Sequence, residues 1–298
     1  MKILQSHEIT DFKKNHFQKK PYLFTNVNSD TLVNWSQLNR LIEKDILYYP
    51  RIRLANDRIP EMRGYSGFIR YSMSPTGDKT PHINRHQLYK CLNEGATLIL
   101  DRCQSFLDGV DKAKEWISNE LDCSSSANLY ASFSDIPSFG LHFDNHDVLA
   151  IQIEGVKRWE VHKPTRTYPL IDERSFGFSQ PSGEPDYTFN LQPGQALYLP
   201  AGYWHNVSTQ TKRSLHITFT IIRPRRLDLI NAFIDEIKIH DYLREPIPFG
   251  ESLSNNNQVA EILNNALSSF DINMMETLLK MRDKRKQYIK IDLENINN

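Results

Sequence analysis

A mainly β chain with flanking helices, built around a jelly-roll barrel, is the fold this sequence predicts. Three observations predict it. Residues 127–223 are rich in Tyr, Phe, Val, Ile and Thr, in short runs separated by turn signals. Helical periodicity holds before and after that stretch. Within it, His142-Phe-Asp144 and His205, 63 residues later, flank one set of expected strands. Many short antiparallel strands that carry clustered polar ligands suit a barrel whose mouth is a ligand site.

The elements follow in order. Residues 6–19 read as a helix, with Ile9, Phe12 and Phe17 among lysines, ended by Pro21. Tyr22-Leu-Phe24 is extended. Asn34–Lys44 is a second helix, with Trp35, Leu38, Leu41 and Ile42 on one side. Residues 46–72 alternate and read as strands through Tyr48, Tyr49, Ile52, Leu54, Phe68, Ile69 and Tyr71. Arg85–Glu94 is helical and stops at Gly95, a C-terminal cap. Thr97–Leu100 is a buried strand and Ala113–Leu121 a helix. Ser124-Ser-Ser126 reads as a loop. Val148–Ile153, Lys157–His162, Tyr187–Leu191, Ala196–Leu199 and Ser214–Ile222 are strands, with turns at Glu154-Gly155 and Pro193-Gly194. After Pro224 the pattern is helical again: Leu227, Ile230, Phe233, Ile234 and Ile237 form a stripe, and Val259–Leu267 and Met274–Arg285 follow. The expected domains are therefore 1–223, with the barrel and its N-terminal elements, and 224–298, a helical region.

Composition narrows the function. Lys plus Arg equals Asp plus Glu at 36 each, so no global field points to nucleic acid or an anionic membrane. No apolar run reaches signal-peptide or membrane-span length. Cys91, Cys103 and Cys123 are odd in number and irregular in spacing, as idle thiols in a reducing cytoplasm would be. Lys280–Lys286 is a local basic run that suits a solvated helix end.

The chemistry lies in the motif. Side chains two apart on an extended chain share a face, so His142 and Asp144 can grip one ion together. Adding His205 gives two imidazoles and a carboxylate with the remaining positions open, the arrangement of non-haem Fe(II) oxygenases. Asp147 and His146, beside the ligands, are candidates to orient them. Lys157, 15 residues after His142, shares a strand face with Trp159 and Val161, which aims it into the barrel, where it needs an anionic partner. Arg158, Glu160 and His162 take the outer face. Trp159 and Trp204 read as core and cavity walls.

The run His142-Phe-Asp-Asn-His-Asp-Val-Leu-Ala-Ile-Gln-Ile-Glu-Gly-Val-Lys-Arg-Trp159 resembles the core of JmjC-type 2-oxoglutarate oxygenases, nearest the cupin-like ribosomal oxygenase subgroup. Asp11–Phe24, with its Lys-Lys-Pro turn, Gly95–Leu100 and Ser214–Phe219 are also similar to that subgroup. The likeness spans about residues 10–240. It implies a double-stranded β-helix, Fe(II) on His142, Asp144 and His205 as the catalytic centre, and 2-oxoglutarate and O2 as co-substrates. It pairs Lys157 with the distal carboxylate of 2-oxoglutarate and adds Asn128, Tyr130, His216 and Thr218 as co-substrate contacts. It implies hydroxylation of a C–H in a protein or peptide side chain, with a free amino acid as another acceptor, and a homodimer through the C-terminal helices. About 75 residues follow Pro224, little room for the subgroup's winged helix. Two other readings compete: a metal cupin enzyme that needs no 2-oxoglutarate, and a non-catalytic binding module of the same fold.

Overall fold

A computed structural model describes residues 2–44, 46–247, 249, 257–271 and 273. The chain divides into two compact units, 1–222 and 223–298.

The first unit begins with α1 (Ser6–Asn15), β1 (Tyr22–Phe24), α2 (Trp35–Glu43) and β2 (Ile52–Ala55). A two-stranded ribbon of β3 (Ile69–Met73) and β4 (Lys79–Ile83) comes next, then α3 (Arg85–Asn93), β5 (Thr97–Leu100) and α4 (Asp108–Glu120). The barrel strands are β6 (Ser124–Ser132), β7 (Asp147–Glu154), β8 (Lys157–His162), β9 (Tyr187–Leu191), β10 (Ala196–Leu199), β11 (Trp204–Thr209) and β12 (Ser214–Ile222). The second unit contains α5 (Arg226–Ile237), α6 (Asp241–Arg244) and α7 (Asn257–Ser269), where Phe233 packs edge-on against Phe270 at 5.1 Å. The expected helix 274–285 and the basic run 280–286 lie outside the described residues.

Two antiparallel sheets face each other: a seven-stranded one ordered β1-β10-β7-β12-β6-β5-β2 and a three-stranded one ordered β11-β8-β9. This is a double-stranded β-helix, and strand period two sorts its residues between two cores. On β7, Leu149 and Ile151 join the helix-side core with Phe12, Leu38, Val110 and Ile117, while Val148 and Ala150 join the core between the sheets. On β8, Trp159 and Val161 are in the inter-sheet core, so Lys157 is inside the barrel. On β6 and β12 the helix-side core takes Ala127, Leu129, Ala131, Leu215, Ile217 and Phe219. Asn128, Tyr130, Ser132, His216 and Thr218 therefore line the interior.

Local chemistry fixes several boundaries. Asn34 and Gln37 form reciprocal side chain–backbone bonds of 3.0 and 2.9 Å that start α2. Gly95 has φ +92° and closes α3 as expected. Other expectations need correction. α1 ends at Asn15, not 19, because Lys19 and Lys20 turn back onto the His16 carbonyl. Residues 46–51 and 56–68 form loops, turns and a short 3-10 helix (Pro60–Met62) rather than strand. α4 starts five residues before Ala113, at Asp108. Ser124-Ser-Ser126 is the start of β6, not a loop, because it pairs with Thr220–Ile222. β4 and β11 were not expected at all. His162 is 8% exposed rather than on an open face, because it sits at the end of β8 opposite Trp204 and near Asp186.

Candidate metal centre

His142 and His205 are locked together by their backbones. His142 N donates to His205 O (3.1 Å) and His205 N to His142 O (2.7 Å), an isolated antiparallel bridge. The imidazoles end 4.3 Å apart between centroids. Asp144 Oδ2 lies 3.7 Å from His205 Nε2, and one ligand atom from each of the three residues falls within 4.8 Å of the others. Among the described residues this is the one such cluster.

The ring orientation is set by backbone carbonyls. His142 Nδ1 lies 2.9 Å from Gly140 O and His205 Nδ1 3.1 Å from Tyr203 O. A carbonyl only accepts, so Nδ1 carries the proton on both rings and Nε2 keeps its lone pair for an ion. Burial and the neighbouring His142 push His205 down to about 4, against the opposing pull of Asp144, so its ring is neutral at physiological pH. Burial alone would raise Asp144, but His146, His142 and His205 together hold it below the usual carboxylate range. Two imidazoles with Nε2 turned toward a carboxylate anion are the donors a divalent ion needs.

The supporting loops explain this placement. Gly202, at φ +88°, donates its N–H to Asp144 O at 2.9 Å. Asp147 is tied to the turn that carries His205. It accepts from Tyr198 Oη (2.6 Å) and from Ala201 N (2.8 Å), which clamps the turn leading to His205. His146 bonds Asn145 and Thr220. Gly140 has φ +63°, and a Cβ there would fall 2.6 Å from the Asp57 carboxylate. Gly140→Ala is therefore expected to shift the carbonyl that aims His142. The loss in Mn(II) affinity should be about 10–100-fold, as for other partners that orient a metal ligand. Calorimetric titration reads it, with circular dichroism to show that the fold is kept.

Deeper in the barrel, Lys157 is 3% exposed and donates from Nζ to Ser132 Oγ at 2.9 Å, with Thr97 Oγ1 3.0 Å further on. Burial lowers Lys157 to about 7. Around it, Thr209 Oγ1, Trp159 Nε1 and His216 Nδ1 are buried without hydrogen-bond partners. Thr209 faces Lys157 directly in the β8–β11 register. Tyr130 stacks on His216 at 4.8 Å and 6°. Burial, with the Lys157 charge, holds His216 well below the ordinary histidine range, and burial raises Tyr130. Asn128 is partly spoken for: its Oδ1 accepts from Arg102 N at 2.9 Å, at a residue with φ +52°. Thr218 lines the same interior, half-buried. The residues that sequence reasoning missed are Thr209, Ser132 and Thr97, together with the indole N–H of Trp159. Only the strand register exposes them.

A JmjC domain model matches residues 100–229, which contain the whole ligand cluster and Lys157. Over a longer stretch the chain is 28% identical across 217 residues to a Dictyostelium discoideum protein named bifunctional lysine-specific demethylase and histidyl-hydroxylase NO66. That match covers 70% of this chain and 40% of the relative. The Aedes aegypti protein of the same name is 24% identical over 258 residues, 83% of this chain and 39% of its own. The chain thus spans about two fifths of the length of these relatives. Two structures of YcfD from Escherichia coli share the fold. One has a TM-score of 0.60 at 16% identity, over 90% of this chain and 69% of that one. The other, titled as a ribosomal oxygenase in complex with cobalt and 2-oxoglutarate, has a TM-score of 0.58 at 16% identity, with coverage of 90% and 69%.

Proposed function

We propose that this protein is an Fe(II)- and 2-oxoglutarate-dependent oxygenase that hydroxylates a C–H of a protein or peptide side chain. The observation that carries it is a cluster of two imidazoles and one carboxylate, backed by a buried lysine among three orphaned polar groups. Donors buried without partners cost about 1–3 kcal/mol each. A carboxylate placed against Lys157 Nζ and Thr209 Oγ1 would satisfy them. The donor set fits Fe(II) with open positions. The relatives' names, a histidyl-hydroxylase and a structure with cobalt and 2-oxoglutarate, point the same way.

In this reading His142, Asp144 and His205 hold the iron and Lys157 holds the distal carboxylate of the co-substrate. Tyr130, His216, Thr218 and Asn128 line the path between them. When bound, Fe(II) with 2-oxoglutarate and O2 supplies the oxidising power for hydroxylation, with succinate and CO2 as co-products. The chain's own task is orientation and a dry cavity: Gly140 O and Tyr203 O fix the rings, and Trp159 and Val161 exclude water. A metal cupin enzyme without 2-oxoglutarate would leave Lys157 buried with no anion to meet, which disfavours that alternative. The test is turnover of 2-oxoglutarate to succinate with Fe(II), followed by mass spectrometry of proteome peptides for a gain of one oxygen. No keto-acid binding and no succinate would refute the reading.

The same reading makes the protein a cytoplasmic homodimer. Cys91, Cys103 and Cys123 are buried free thiols, which suits a reducing compartment. On α5, Leu227, Ile230 and Ile234 are exposed, and a second copy would cover them. Light scattering at micromolar concentration should give twice the chain mass, and Ile230→Glu with Ile234→Asp should give a folded monomer. A monomeric wild type sinks the dimer. Among the described residues no helix is long and apolar enough to cross a membrane.

A further inference from the structure

The β3–β4 ribbon stands outside both barrel sheets, and its two edges are unlike. Its hydrogen-bonding pattern can be read from its ends. Asn84 N donates to Phe68 O (2.7 Å) and Ser74 N to Asp78 O (2.8 Å). Bonded and non-bonded pairs alternate along an antiparallel ladder. Arg70–His82 and Ser72–Thr80 are therefore the bonded pairs, and Tyr71–Pro81 and Met73–Lys79 direct their main-chain groups outward. On β4 the central outward residue is Pro81, which has no N–H, so that edge is blunted. On β3 the outward residues are Tyr71 and Met73, 56% and 63% exposed, with no strand beside them among the described residues. An edge left open in this way is a template for another strand.

The surroundings select the charge of that strand. Residues 46–93 carry eight Lys and Arg against three Asp and Glu, in a chain whose total charge is zero. Arg63, Arg70, Lys79 and Arg85 are exposed. Asp78 is engaged in its own turn, bonded to Thr76 Oγ1 at 2.6 Å. The ribbon is also close to the metal ligands in the chain. Arg63 Nη2 donates to Phe139 O at 2.8 Å, and the Phe139 ring lies 5.7 Å from that of His142. Ile69 comes six positions after Arg63, a reach of at most about 20 Å. One bound polypeptide can span both.

We propose that the free edge of β3 is a docking strand for an extended, acidic segment of the polypeptide substrate. Main-chain pairing at Tyr71 and Met73 supplies the register and the nearby cations supply the charge preference. The proposal rests on the reading of the site as one that acts on a protein or peptide. A peptide is favoured over RNA by the strand faces. Tyr71 and Met73 share a face with Lys79 but not with Arg70 and His82, so one stacking ring meets one cation there, too little for a run of stacked bases along a basic groove. Strand addition uses the edge common to both.

The test uses fluorescence anisotropy with a labelled alternating Glu-Val octapeptide, its Lys-Val counterpart, a Glu-Val peptide N-methylated at alternate residues, and oligo-uridine. The full chain should bind the Glu-Val peptide saturably and the other three weakly. Tyr71→Pro removes an outward N–H without touching the ladder and should weaken binding about fivefold. Arg70→Glu with Lys79→Glu should weaken it about tenfold or more. Absence of Glu-Val binding, equal binding of the N-methylated peptide, no effect of Tyr71→Pro, or tighter binding of oligo-uridine would each overturn the proposal. Mn(II) affinity and 2-oxoglutarate turnover should be unchanged in Tyr71→Pro. If peptide binding behaves as expected and the wild type turns over no 2-oxoglutarate, the docking strand stands and the oxygenase reading fails.

Discussion

Asp144→Ala is expected to abolish Fe(II)-dependent turnover and saturable Mn(II) binding while the fold is kept. His142→Ala and His205→Ala should do the same. Asp144 is the sole anion in the ligand cluster, and its carboxylate is held ionised by the three surrounding histidines. Removing it leaves a divalent cation two imidazoles and no anion. The loss should exceed the about 10–100-fold caused by removing a group that only orients a ligand, so the Gly140→Ala variant serves as an internal scale. Calorimetric titration with Mn(II) as a redox-silent stand-in makes the comparison. Unchanged affinity in Asp144→Ala would remove the basis of the metal assignment.

Lys157→Ala should raise the 2-oxoglutarate requirement by about 30-fold to several thousand-fold, the range that follows from breaking a buried charge pair, with Mn(II) affinity nearly unchanged. Lys157→Arg should keep more function because the charge survives, though its planar fork is a poor fit beside Ser132 and Thr209. The same residue makes binding depend on pH. Burial lowers Lys157 from 10.5 to about 7, so in the ligand-free protein it is mostly neutral above pH 7. An anion requires the charged form. Co-substrate binding should therefore take up close to one proton above pH 7 and weaken as pH rises further. Calorimetry in buffers of different ionisation enthalpy measures that uptake, and a value of zero at pH 8 would contradict it. Stability has the opposite sign. Between about pH 7 and 10.5 the unfolded chain binds the proton that the folded chain has lost, so this group makes the ligand-free protein more stable as pH rises. Lys157→Met should remove that slope.

The cluster of His142, Asp144 and His205 was legible because its members announce themselves locally: two lie in one tripeptide, and the other follows a Pro-Ala-Gly turn. Lys157 was legible because Trp159 and Val161 mark its face. β11 was not legible, and for a related reason. Its inward residues are His205, Val207 and Thr209, two polar groups out of three, so the apolar alternation that reveals a strand is missing where function occupies the pattern. Thr209 was lost with it. β4 was hidden because both faces of the ribbon are exposed, and Lys-Thr-Pro-His gives no hydrophobic period. Ser124–Ser126 were misread because serine has no preference for strands, and only their partners at Thr220–Ile222 place them there. The second unit's stripe at 227–237 was legible as a helix, but periodicity says only which face is apolar and not what covers it.

The backbone bridge between His142 and His205 has a kinetic meaning. The two rings reach one ion only when a loop of 63 residues has closed and the turns at Gly140 and Gly202 are set. A partly folded chain can offer the His142–Asp144 pair but not the third ligand. An ion bound there would therefore arrive as a latch on finished work. It should lengthen the lifetime of the native state far more than it hastens folding, so an apo chain that folds at its normal rate and unfolds quickly is the signature of an empty latch.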